Sequence, residues 1–220
     1  EIHERLVGSE MCIRDRFGLD EIKDKYPENY HDVGIAEQES VAFAAGMAKE
    51  GAIPVLFENS TFLQRAFDQL SHDVAANDLP VVMMVAGGGI SGTSKIHLGV
   101  FDQVMISNLP NWIYLAPTTL AEEKDMMEWA IKQRKHPVAI KMPTKKVPVG
   151  EEVKRNYSEI KYDIKPGKDI AVLALGDMYD MLGKEVTEKL GASLVNPISA
   201  NILDKEALDK LADENKIIIT

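Results

Sequence analysis

The stretch that decides the fold covers residues 31–85 and reads HDVGIAEQESVAFAAGMAKEGAIPVLFENSTFLQRAFDQLSHDVAANDLPVVMMV. Residues 53–58 and 79–85 are apolar runs with the length of buried strands. Residues 35–49 and 62–76 have helical length, and small or apolar side chains cover most sides of the first. Strands that alternate with helices predict a doubly wound, mostly parallel α/β sheet.

The same alternation continues towards the C-terminus. Residues 112–116 and 137–141 read as strands, and a helix is predicted between them over 120–134. Residues 145–167 are polar and contain two prolines and two glycines, which is typical of an interdomain linker. A second strand–helix series begins at residue 169. We therefore predict a first α/β domain over 17–145, a linker over 146–167 and an incomplete second α/β domain over 168–220.

Composition excludes several classes of function. Hydrophobic residues make up 45% and charged residues 27%, as in ordinary globular proteins. The net charge of −10 argues against non-specific nucleic-acid binding, which needs a clustered basic surface. No apolar run approaches the roughly 20 residues that cross a bilayer, so no membrane partner is expected. The single cysteine cannot form an internal disulfide, which favours a cytoplasmic protein.

The first sixteen residues follow neither a helical nor a strand period, and we expect them to form no element. Residues 6–16, LVGSEMCIRDR, match the translation of a transposase adaptor used to prepare sequencing libraries. Our hypothesis is that residues 1–16 are non-native, and the alternative is a genuine disordered N-terminus. The codons of the source DNA decide between the two. Because an apolar strand pattern also stops abruptly at residue 220, we expect a fragment at both ends.

Three residues in the predicted helices, and one glycine run, invite a functional interpretation. Glu37 is either an exposed first-turn acid that favours the helix dipole or a buried carboxylate with a function. Without further information Phe62 reads as a core residue and Arg65 as a surface helix residue. The glycine run 87–92, GGGISG, lacks the spacing of a dinucleotide fingerprint, so we interpret it as a flexible loop. The residues alone leave these alternatives open.

Two strings, GIAEQ at 34–38 and STFLQRAFD at 60–68, resemble motifs of the transketolase and 1-deoxy-D-xylulose-5-phosphate synthase family. Shorter matches lie at 72–75 (HDVA), 97–102 (HLGVFD) and 115–117 (LAP). The resemblance covers nearly all of residues 17–220. It implies that residues 17–145 form a pyrimidine-binding domain and that residues 168–220 begin the family's C-terminal domain.

The resemblance also implies the cofactor, thiamine diphosphate with Mg²⁺, and the residues that serve it. In the family, the glutamate that matches Glu37 hydrogen-bonds the aminopyrimidine ring and promotes activation of the thiazolium carbon. Phe62 is then expected to stack on that ring, with Arg65 beside it. His97 is expected near the substrate carbonyl, and Asp102 either orients His97 or caps a helix.

The sequence departs from the family at the positions that hold the acceptor's phosphate. The family's string DRAG is AGGG at residues 86–89, and its second arginine corresponds to Thr144. Arginine is the residue best suited to grip a phosphate, so only lysines such as Lys95, Lys145 or Lys146 remain as substitutes. Two further family positions, a histidine and a tyrosine, are Glu39 and Asn59 here.

The G-D-G motif that holds the cofactor's diphosphate and Mg²⁺ does not occur in the sequence. The resemblance therefore predicts a diphosphate-binding domain or subunit as partner, in a homodimer or a heteromer, and no turnover by this chain alone. The favoured function is a transferase that moves a two-carbon unit from a ketoacid or ketose to an aldehyde. The alternatives are the β subunit of a 2-oxo-acid dehydrogenase and a non-catalytic paralogue that serves as a partner subunit.

Overall fold

A six-stranded parallel sheet forms the first half of the chain. The computed structural model describes residues 4–8, 19–89 and 98–220. The strands of this sheet are β1 (Glu4–Gly8), β2 (Tyr30–Asp32), β3 (Ile53–Asn59), β4 (Val82–Ala86), β5 (Ile113–Leu115) and β6 (Val138–Lys141). They lie in the order β2-β1-β3-β4-β6-β5, and every neighbouring pair is parallel. The predicted doubly wound α/β fold is thereby confirmed.

Helices cover both faces of this sheet. Side chains of β3 and β4 alternate between two apolar clusters, with Val55 and Met84 in one and Leu56 and Met83 in the other. A central strand with helices on both sides has no polar face, which is why these runs are continuously apolar. The α-helices of the first half are α1 (Asp20–Lys25), α2 (Glu37–Lys49), α3 (Ser60–Leu63), α4 (Phe67–Gln69), α5 (Asp102–Ser107) and α6 (Leu120–Gln133).

A four-stranded sheet forms the second half, in the order β10-β8-β9-β7. Strands β10, β8 and β9 are parallel, and β7 is an antiparallel edge strand. Its elements are β7 (Asp163–Lys165), β8 (Asp169–Leu173), a π-helical turn Tyr179–Gly183, α7 (Lys184–Leu190), β9 (Ser193–Asn196), α8 (Lys205–Glu214) and β10 (Asn215–Ile219).

Three expectations about local structure are wrong. The segment 1–16 was expected to form no element, but β1 lies between β2 and β3 and buries Val7. Without a strand at this position, the backbone N–H and C=O groups on the facing edges of β2 and β3 would have no hydrogen-bond partners. The origin of residues 6–16 stays a hypothesis. The predicted linker contains β7, because pairing with β9 satisfies its backbone. The predicted helix 62–76 is broken at Ala66, whose φ of −99° and ψ of 20° leave the helical region.

Residues 145–167 are fixed to α6 through a buried carboxylate. Asp125 Oδ2 accepts hydrogen bonds from the Tyr157 hydroxyl at 3.0 Å and from the Arg155 backbone N–H at 2.9 Å. Burial is the main cause that raises the pKa of Tyr157, so its hydroxyl stays a donor. Tyr157, Ile160 and Tyr162 pack into the same apolar cluster as β3. The segment is therefore an ordered part of the core.

We expect Tyr157→Phe to lower the free energy of unfolding by about 1–2 kcal/mol, because Asp125 then loses one of two buried donors. Urea denaturation measures the change. Tyr26→Phe is the matched control, since it removes a hydroxyl from a half-buried ring outside this network and should cost less than about 0.5 kcal/mol. Equal denaturation midpoints for the two variants would show that this bond does not hold the segment.

The second sheet is joined to the first along β5. The Ala116 N–H donates to Ile198 O at 2.8 Å, and the Ala200 N–H donates to Tyr114 O at 2.7 Å. The side chain of Asn201 completes the contact by bonding Tyr114 N and Trp112 O. The segment that follows β9 thus provides hydrogen-bond partners for backbone groups on the outer edge of β5. Within the described ranges, none of the helices combines the length and apolar character needed to cross a bilayer.

Candidate active site

The carboxyl ends of β2, β3, β4 and β6 lie at one edge of the first sheet, because these strands are parallel. The polar segments that follow them start at Val33, Ser60, Gly87 and Met142. Open α/β sheets bind ligands at this edge, outside the carboxyl ends of the strands. The candidate site is therefore built from segments that are distant in sequence and share one edge of the sheet.

Glu37 is the first residue of α2, and it is 2% exposed. A tight turn delivers it: Gly34 has a φ of +73° and donates its N–H to Asp32 Oδ1 at 3.0 Å. Glycine suits this turn because a positive φ strains other residues. The interpretation of Glu37 as an exposed helix-dipole residue is wrong, and a buried carboxylate at a ligand-binding edge is the arrangement found.

Arg65 and Phe62 lie beside this carboxylate. Arg65 Nη1 donates to Glu37 Oε1 at 3.1 Å, and its guanidinium carbon lies 5.7 Å from the centre of the Phe62 ring. The Arg65 side chain is 57% exposed, so one side of the ion pair faces solvent. The structure thus brings together Glu37, Phe62 and Arg65, the three residues that the resemblance assigned to the cofactor. Their roles stay a prediction.

A second buried carboxylate supports the start of α2. The Ser40 hydroxyl lies 2.6 Å from Glu58 Oε1 and 2.8 Å from the backbone oxygen of Glu37. Ser40 and Glu58 are both buried, and Glu58 stands near the end of β3. This contact ties the first turn of α2 to the central sheet. Sequence patterns gave no sign of it, because the two residues are 18 positions apart.

Close packing accounts for Gly88, so the flexible-loop interpretation is wrong there, whereas Gly87 and Gly89 adopt positive φ values of +64° and +112°. A side-chain carbon on Gly88 would overlap Lys141 Nζ, and one on Gly99 would overlap the backbone oxygen of Gly87. Gly88 and Gly89 form bridges with Gly99, and the Gly89 N–H donates to Gly99 O at 2.5 Å. These contacts bring the strand end of β4 against the start of α5.

Asp102 opens α5 but does not cap it, because the N-cap is Phe101. Its buried Oδ2 accepts from Lys141 Nζ at 2.8 Å and from the Tyr114 hydroxyl. Burial, followed by the neighbouring Asp102 charge, raises the pKa of Tyr114 well above its usual range, so the hydroxyl stays protonated. The helix-cap alternative for Asp102 is therefore wrong. The predicted catalytic residue His97, and Asp102's role in orienting it, lie outside the described residues.

Sequence reasoning missed Lys141 and Asp177. Lys141 ends β6 and is 16% exposed, as the counter-ion of Asp102. Asp177 accepts two hydrogen bonds from Thr144 across the two halves of the chain. Lys141 is the last residue of the apolar string PVAIK. A charged residue at the carboxyl end of a buried strand is rarely buried without a partner, and this is the sequence signal that could have identified Lys141. Asp177 offers no comparable signal.

Comparison with known proteins agrees with this geometry. Residues 12–149 match the family described as "Transketolase, pyrimidine binding domain". The 1-deoxy-D-xylulose-5-phosphate synthase of Clostridium tetani is 37% identical over 223 residues, which cover 99% of this chain and 36% of the relative. The enzyme of that name from Acidovorax ebreus is 38% identical over 228 residues, with coverages of 100% and 35%. The chain thus spans about a third of the length of these relatives.

Solved structures show the same fold. A chain described as "Split gene transketolase, inactive beta4 tetramer" superposes with a TM-score of 0.80 at 23% identity, over 97% of this chain and 72% of that one. A transketolase mutant from Pichia stipitis gives a TM-score of 0.79 at 16% identity, over 99% and 36%. With the matched family and the relatives of more than 35% identity, these findings show that the chain belongs to the transketolase pyrimidine-binding domain family.

Proposed function

We propose that this chain is the pyrimidine-binding part of a thiamine-diphosphate-dependent transferase, which moves a two-carbon unit from a ketoacid or ketose to an aldehyde. The observation that carries the proposal is Glu37, a carboxylate buried at the carboxyl edge of the sheet with Phe62 and Arg65 beside it. The relatives that match over the whole chain bear the name of such an enzyme.

The residues present fit the pyrimidine end of the cofactor. Glu37 offers a carboxylate to a ring nitrogen, and Phe62 offers an aromatic face for stacking. The buried Ser60 hydroxyl has no hydrogen-bond partner among the residues that the structure describes, and it lies in the space that a side chain on Gly99 would fill. A buried polar atom of this kind is one that a ligand can satisfy. When bound, the cofactor supplies the carbanion chemistry.

The task of Glu37 is to hold a proton at the pyrimidine ring. A buried carboxyl group can exchange a proton with the ring there, because low exposure keeps water from competing for its oxygens. Arg65 Nη1 donates to Glu37 Oε1 at 3.1 Å and lies 3.4 Å from Oε2, and a carboxylate has further lone pairs for a second partner. Catalysis by Glu37 therefore depends on its place at the start of α2, which Gly34 and Ser40 fix.

The proposal requires a partner for the other end of the cofactor. A diphosphate-binding domain or subunit would supply the Mg²⁺ ligands, in a homodimer or a heteromer located in the cytoplasm. We call the chain combined with this domain or subunit the assembled enzyme. The chain alone is expected to show no turnover, since it would lack the metal clamp on the charged end of the cofactor.

The test is donor cleavage by the assembled enzyme. With thiamine diphosphate and Mg²⁺ we expect it to decarboxylate pyruvate, and to form a longer ketose when an aldehyde is added. Decarboxylation that delivers its product only to a lipoyl domain would favour a 2-oxo-acid dehydrogenase β subunit instead. Absence of any decarboxylation, in a sample shown by calorimetry to bind the cofactor, would leave the role of a non-catalytic partner subunit and refute the proposal.

A further inference from the structure

Thr144 and Asp177 form a polar clasp between the two halves of the chain. The Thr144 backbone N–H donates to Asp177 Oδ2 at 3.1 Å, and the Thr144 hydroxyl donates to the same oxygen at 2.7 Å. Both residues are half-buried. Two bonds from one residue to one carboxylate oxygen fix that carboxylate in direction as well as in place.

The clasp lies at the same edge as Glu37. Thr144 stands three residues after the end of β6, and Asp177 stands four residues after the end of β8. The turn that carries Asp177 packs against the segment after β5, since a side-chain carbon on Gly176 would lie 3.4 Å from Ala116 Cβ. The segments that follow the carboxyl ends of β6 and β8 thus meet at the clasp, and Asp177 adds a negative charge to this edge.

In the part of the chain that the structure describes, which does not include Lys95, Asp177 forms no ion pair with a lysine or arginine. Lys145 and Lys146 are exposed, so water and salt screen them. Lys141 is the counter-ion of buried Asp102 and is committed there. The position corresponding to the family's other arginine lies in the run Ala86–Gly89, where Gly87 approaches Asn59 and carries no charge. A dianionic phosphate at the clasp would face this carboxylate, and the guanidinium that the structure places at the same edge, Arg65, is paired with Glu37.

We propose that the Thr144–Asp177 clasp selects an uncharged, hydroxylated aldehyde as the acceptor and rejects a phosphorylated one. This inference rests on the proposed function. In the described part of the chain, Asp177 Oδ1 accepts no hydrogen bond, while Oδ2 takes both bonds from Thr144. Oδ1 and the lone pairs of the Thr144 hydroxyl are acceptors, which suit the O–H donors of a polyol. They offer nothing to a phosphate, which is itself an acceptor.

The first experiment compares two acceptors on the assembled enzyme, glyceraldehyde and glyceraldehyde 3-phosphate, with pyruvate as the donor. We expect kcat/KM to favour glyceraldehyde by at least about tenfold, as like charges at close range disfavour the phosphate. Asp177→Asn should reduce this preference, and Asp180→Asn should not. Asp180 is the matched control because it carries the same charge three residues away and is paired with Lys184. A preference for the phosphorylated aldehyde would overturn the inference.

The second experiment does not depend on turnover. Inorganic phosphate is titrated calorimetrically into the assembled enzyme and into the Thr144→Arg/Asp177→Asn double variant. We expect binding only in the double variant, which restores a guanidinium and removes the opposing charge. The inference would be overturned if the unsubstituted protein binds phosphate and Asp177→Asn does not increase its affinity for phosphate. If pyruvate decarboxylation fails, the proposed function falls, and this titration still decides whether the clasp excludes phosphate.

Discussion

Glu37→Gln is expected to lower kcat of the assembled enzyme by about 10²- to 10⁴-fold, the range that a positioned acid or base contributes. Glutamine keeps the size of the side chain and its acceptor oxygen, but it cannot hold or release a proton. The measurement is the rate of pyruvate decarboxylation at saturating cofactor. Because the cofactor is saturating in this assay, a loss of kcat reports on the chemical role of Glu37 and not on cofactor affinity.

Glu39→Gln is the matched control for this variant. Glu39 is an acid in the same first turn of α2, yet it is exposed. Its replacement should leave kcat within about twofold, since an exposed first-turn acid contributes mainly to the helix dipole. Urea denaturation of both variants separates a chemical effect from loss of fold. Comparable activity in the two variants would refute the role of Glu37.

Lys141→Met is expected to lower the free energy of unfolding by about 3–5 kcal/mol, because it leaves the buried Asp102 carboxylate without its counter-ion. Methionine preserves most of the apolar stem, so packing changes little. The Tyr114 hydroxyl still donates to Asp102, but a neutral donor does not compensate the buried charge. Urea denaturation of the chain gives the difference.

Two controls sharpen this measurement. Lys132→Met removes an exposed lysine that is paired with Glu128, and should cost less than about 1 kcal/mol. The double variant Asp102→Asn/Lys141→Met removes both charges and should recover most of the lost stability. A change of less than about 1 kcal/mol for Lys141→Met alone would contradict the account of this pair.

Much of the fold follows from local sequence pattern. The continuous apolar run of β4 and the helical pattern of α2 are strong sequence signals. A strand buried on both faces is apolar along its whole length, so it is easy to recognise. β1 was missed because the segment 4–8 carries no such pattern, and its place is set by the strands on either side. β7 was missed because a short, exposed edge strand has the composition of a linker.

The candidate site was also predictable only in part from the sequence. Glu37 and Phe62 lie in long motifs, so the sequence pointed to them. The Lys141–Asp102 and Thr144–Asp177 contacts join residues 39 and 33 positions apart, and no local pattern records which side chains meet across the sheet. Composition also misled at Gly88, since a glycine needed for close approach looks the same as one in a flexible loop.

The central claim, that Glu37 activates the cofactor, is tested most directly by the exchange of the thiazolium C2 proton for deuterium in the assembled enzyme. Quenched-flow NMR measures this rate before any substrate is added. We predict that exchange in Glu37→Gln is slower than in the unsubstituted protein by about 10²-fold or more, while Glu39→Gln exchanges normally. Equal exchange rates in Glu37→Gln and the unsubstituted protein, with cofactor bound in both, would contradict the claim.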